Sequence, residues 1–91
     1  MTGKGGKIMK NIITDEIFMQ LNEHFKSKGS IISFVKNDIN SVYITIKDVY
    51  LDSINVYPNK QFYIELEKYL ESKGIWNISY NNAKSCFWKI D

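Results

Sequence analysis

Arginine is absent from this 91-residue chain, and cysteine, proline and histidine each occur once. Each shortage closes off a class of function. Without arginine there is no planar fork for bidentate grip on guanine or phosphate, a task that lysine does poorly. A residue enriched at binding hot spots is missing as well. The lone Cys86 supports neither a disulfide framework nor a CxxC metal pair, so the expected compartment is reducing and cytoplasmic. The lone His24 has no partners that the sequence places beside it, which leaves no metal centre and no catalytic pair. No apolar run approaches the roughly 18 residues needed to span a membrane, and the N-terminus lacks the apolar core of a signal peptide. No paired acid, base or nucleophile is visible, so the chain reads as a non-enzyme with no cofactor and no membrane partner.

What the chain does contain is lysine, isoleucine, asparagine and tyrosine in abundance, all residues with AT-rich codons, as expected of an AT-rich bacterial or phage genome. Twelve lysines face ten acids, a net charge of +2. The excess sits at the start. Residues 1–8, MTGKGGKI, are rich in glycine and lysine but have neither the preceding strand nor the spacing of a phosphate-binding loop. Back-translated with AT-rich codons, residues 4–9 become AAA GGA GGT AAA ATT ATG, a ribosome-binding sequence set before a start codon at Met9. Residues 1–8 are therefore read as a flexible tail and a misassigned start, and residues 9–91 as one domain. Without Lys4 and Lys7, ten lysines face ten acids, which removes the basis for a domain-wide attraction to nucleic acid.

The clearest stretch is residues 59–80. Phe62, Leu66, Tyr69 and Leu70 form one apolar stripe of a 3.6-residue period. Asn59 suits an N-cap, and Gly74 after Ser72 and Lys73 suits a left-handed stop. Alternation then sets in at Trp76, Ile78 and Tyr80. A first helix is expected over 15–28, capped by Thr14, with Ile17, Phe18, Leu21 and Phe25 inward and Ser27-Lys28-Gly29 as its stop. Strands are expected over 31–36, 41–47 and 49–56, the last with an irregularity at Asp52 and Ser53. A final strand over 85–90 follows a turn at 81–84, with Cys86, Trp88 and Ile90 inward. Asp38, Asp48 and Asp52 read as turn formers. A faint echo at 45 residues aligns Thr14 with Asn59, Leu21 with Leu66, and one Ser-Lys-Gly with the other.

The expected fold is α+β in the order αβββαββ, an antiparallel five-stranded sheet with both helices on one face. The αβββα part shares its order with double-stranded-RNA-binding domains. Their lysine cluster at the start of the second helix is reduced here to Lys60, so order alone assigns nothing. The helix-free face is expected to carry the partner site: Ile31, Val35, Tyr43, Thr45, Lys47, Tyr50, Phe87 and Lys89. A semi-apolar face on a neutral body points to a protein-binding module, or to a homodimer. AT-rich coding and a tight gene start suit a phage or mobile-element accessory protein, an inhibitor or adaptor of a host protein such as a defence nuclease. The alternative is a single-stranded nucleic-acid binder, using Tyr43, Lys47, Tyr50, Phe87 and Lys89 for stacking and charge.

Overall fold

The structure is a computed structural model that describes residues 13–90, so the reading of residues 1–8 lies outside it. Eight elements follow in order: α1 (Asp15–Ser27), β1 (Ile32–Lys36), β2 (Ser41–Ile46), β3 (Val49–Tyr50), α2 (Leu51–Ile54), α3 (Lys60–Ser72), β4 (Ile78–Tyr80) and β5 (Cys86–Lys89). The strands form one antiparallel sheet in the order β1-β2-β5-β4, with β3 paired to β2.

Both long helices start and stop by the same local chemistry. Thr14 Oγ1 accepts from the Ile17 amide, and Asn59 Oδ1 from the Phe62 amide. At the far end of α1, Gly29 N–H donates to Lys26 and Ser30 N–H to Phe25. At the far end of α3, Gly74 N–H donates to Glu71 and Ile75 N–H to Leu70. These are paired 6→1 and 5→2 closures, which need a residue at positive φ; Gly29 (+79°) and Gly74 (+84°) supply it.

The two helices cover one face of the sheet. Phe25 of α1 lies 5.5 Å from Phe34 of β1, and Phe62 of α3 lies 6.2 Å from the same ring. Leu21, Val42, Ile44, Leu51, Leu66 and Phe87 are fully buried in this layer. Between the helices, His24 stacks on Tyr69 at 4.2 Å, and Glu65 accepts a charged hydrogen bond from Lys28. His24 Nε2 also comes within 3.4 Å of Glu65, and the hydrogen bond and charge of Lys28 hold that carboxyl below its usual range.

The 45-residue echo has a partial counterpart in the fold. Two pairs of residues 45 apart meet: Val42 pairs with Phe87 in the sheet, and His24 stacks on Tyr69 between the helices. The order α1-β1-β2 is matched by α3-β4-β5 with the outer strand slipped by one residue, since Ser33 pairs with Thr45 but Ile78 pairs with Lys89 rather than Ile90.

Two expected strands differ. The stretch 49–56 pairs with β2 only at Val49 and Tyr50, then turns into the single turn of α2. The reason is at its start: Lys47 and Asp48 both take positive φ (50° and 66°), a two-residue hairpin that leaves room for two pairs. Leu51 then enters the core, and Asn55 in the left-handed region ends the turn. In β5 the phase is inverted. Phe87 faces the helices with no exposed surface, while Cys86 and Trp88 point to the other side. β4 starts at Ile78, so Trp76, where the expected alternation sets in, lies before the strand and is 55% exposed.

Candidate functional site

Pairing defines the helix-free face. Val35 lies opposite Tyr43, Ser33 opposite Thr45, Thr45 opposite Tyr50, Tyr43 opposite Cys86, and Ser41 opposite Trp88. Residues directly opposite in an antiparallel pair point to the same side. The face is thus built from Ser33, Val35, Ser41, Tyr43, Thr45, Tyr50, Cys86 and Trp88, with Ile31 at its margin; Ser41, Thr45 and Cys86 are buried within it. The two long helices, α1 and α3, lie on the opposite face.

Of the eight residues expected there, Ile31, Val35, Tyr43 and Tyr50 are in place. Ile31 is exposed just before β1, and its carbonyl accepts from the Lys47 amide. Tyr43 and Tyr50 meet edge to face at 5.1 Å. Lys47 is exposed in the tight turn. Thr45 points to this face but has no exposed surface: its Oγ1 lies 2.6 Å from the Ser33 hydroxyl and donates to the Ser33 carbonyl. Phe87 and Lys89 are corrections. Phe87 is a core residue, because β5 enters its ladder opposite Val42. Lys89 shares that side, and its Nζ donates to the Trp76 and Ile90 carbonyls. The stacking platform for nucleic acid therefore loses two of its five residues.

Sequence reasoning missed Trp88 as a member of the face. The signal was present in the echo, since shifting Val42 by 45 residues gives Phe87, not Trp88, as the inward residue. Cys86 also lies on this side but is buried, and burial pushes its thiol up from the ordinary value. That leaves it protonated and unreactive at neutral pH.

A recess of about 420 Å³ opens beside the two tyrosines, lined by Tyr43, Tyr50, Leu51, Asp52, Asn37 and Ser85. Its carboxylate is positioned: Asp52 Oδ1 accepts from the Tyr57 hydroxyl at 2.8 Å and Oδ2 from Ser85 Oγ at 3.1 Å. Asp52 in turn raises the Tyr57 phenol above its usual range. Asp38 is occupied in a turn, where it accepts from the Asn40 and Ser41 amides and the Ser41 hydroxyl; these bonds hold its carboxyl low. Among the described residues, no group of three or more His, Cys, Asp or Glu converges as metal ligands would, and no helix is long and apolar enough to cross a membrane.

Comparison of the chain with family models, with curated proteins and with solved structures finds no match in any of the three.

Proposed function

We propose that this chain is a small binding module for another protein and that it acts by contact rather than catalysis. The observation that carries the reading is the uncovered sheet face, where Val35, Tyr43, Tyr50 and Trp88 form an aromatic-rich surface beside a recess with a fixed carboxylate. Aromatic anchors set on a rigid sheet suit a binding hot spot, because little side-chain entropy is lost on contact. Neutral charge over residues 9–91 suits a protein partner better than a polyanion. The finer reading is a cytoplasmic phage or mobile-element accessory protein that blocks or bridges a host protein. It rests on the lysine- and isoleucine-rich, arginine-free composition and the single buried thiol.

The test is capture from cells of the source organism with the immobilised full chain and with a Tyr43→Ala/Trp88→Ala variant. The variant should keep its circular dichroism and lose the captured protein. Equal capture by both chains places the contact elsewhere, and a low-salt gel shift with single-stranded oligonucleotide would favour nucleic acid instead.

A further inference from the structure

We infer that the open edge of β4 is a second docking site, one that accepts an extended segment of another protein with a lysine or arginine opposite Ile78. The two edges of the sheet, β1 and β4, differ in how their outward backbone groups are met. At β1, odd-numbered residues bond β2: Asn37 N–H donates to Ser41, and the Ile31 carbonyl accepts from Lys47. Even-numbered residues therefore face outward, and side chains meet both groups of Phe34 and the N–H of Ile32. The Asn22 side chain accepts from the Phe34 amide at 2.8 Å and donates to the Phe34 carbonyl at 3.1 Å. Ser30 Oγ accepts from the Ile32 amide. Such a plug protects an edge strand from further pairing.

At β4 the same geometry has no plug. Asn77 and Asn81 bond β5, through Ile90 N–H to the Asn77 carbonyl and Asn81 N–H to the Cys86 carbonyl. The N–H and C=O of Ile78 and Tyr80 therefore point away from the sheet, and no described residue bonds them. The counterpart of Asn22, 45 residues on, is Glu67. A carboxylate has no hydrogen to donate to a carbonyl, and Glu67 instead accepts from the Tyr80 hydroxyl at 2.7 Å. The counterpart of Ser30 is Ile75, which has no hydroxyl.

Four outward backbone groups on Ile78 and Tyr80 match one added antiparallel strand. Its residue opposite Ile78 would point to the helix side, into a recess of about 150 Å³ lined by Glu67, Leu70, Glu71, Ile75, Asn77 and Ile78. Leu70 and Ile75 suit an aliphatic stem. Glu67 and Glu71 suit a cationic head, and neither forms an ion pair among the described residues. A second copy is the poorer occupant, because a twofold through Ser79 would bring the two Glu67 carboxylates toward each other.

This inference rests on the protein-binding reading only in that the ligand is a polypeptide; the site is different. The test is selection from a displayed random dodecapeptide library against the full chain, followed by amide hydrogen exchange on the complexes. Enriched peptides should carry a lysine or arginine in an alternating pattern and slow exchange at Ile78 and Tyr80. Glu71→Lys, at an exposed helix position, should weaken them by roughly tenfold. No enrichment, or enriched peptides that leave both amides unprotected, overturns the site. Indifference to Glu71→Lys overturns the basic occupant. A dimer in sedimentation that protects both amides without peptide overturns the choice of partner. Peptides that perturb Tyr43 and Tyr50 instead would leave the sheet-face reading standing while removing this one.

Discussion

Phe87 and Trp88 are chain neighbours with opposite environments. Phe87 fills the layer under the helices, 6.3 Å from Phe34 and 6.5 Å from Tyr80, with no exposed surface. Trp88 stands on the uncovered side and is half-buried. Truncating a buried phenylalanine removes its transfer energy and leaves a cavity, so Phe87→Ala should cost about 3–5 kcal/mol, a large part of the stability of a small domain. Trp88→Ala should cost no more than about 1–2 kcal/mol. Urea unfolding of the two variants checks the order, and a reversed order would invert the phase assigned to β5. The phase was hard to read locally because Cys86, Phe87, Trp88 and Ile90 are all apolar, and alternation cannot choose between two apolar sets. Tyr63 shows the same limit. It lies beside Phe62 at the rim of the helical stripe, yet it is buried, with its hydroxyl donating to the Lys84 carbonyl.

At the scale of elements, legibility follows the range of the interaction. Helix ends were readable because caps and stops act within six residues: Thr14, Asn59 and the two Ser-Lys-Gly stops all function as their chemistry dictates. The third strand was not. Val49 to Val56 alternates well enough for a strand, but the hairpin at Lys47 and Asp48 and the burial of Leu51 override that pattern. Edge protection was also invisible, since Asn22 reads as an ordinary polar position until β1 is seen beside it. Asn22 satisfies both outward groups of Phe34, whose side chain is buried. Asn22→Ala should therefore cost about 1–3 kcal/mol, the range for leaving buried polar groups without partners. It should also speed amide exchange at Phe34 more than at Val35, whose amide faces β2. Uniform acceleration along β1 would mean that Asn22 supports the whole strand rather than its edge.

The described residues form two similar helix–hairpin halves joined through a shared aromatic core. Phe25 and Phe34 of the first half meet Phe62 of the second, and Phe87 meets Phe34 across the sheet. Tyr63 and Tyr80 extend this cluster at 5.5 Å from each other. Burial is the main reason that both phenols are held above the usual value of 10.0, and at Tyr80 the Glu67 carboxylate adds to it. A folded-state pKa above the unfolded one means that the native chain keeps a proton the unfolded chain releases. Stability from these groups is thus complete below about pH 10 and declines as pH rises beyond it. Since Tyr63 lies in the core common to the halves and Tyr80 packs against it, alkaline unfolding should be one transition, with helical and aromatic signals moving together. Tyr80→Phe should lose about 0.5–1.5 kcal/mol at pH 7 with the Glu67 hydrogen bond, yet fall less steeply than the parent between pH 10 and pH 11. Urea titrations at the two ends of that range read the slope. Parallel slopes would show that Tyr80 titrates freely, and separate helical and aromatic transitions would show that the two units do not share one core.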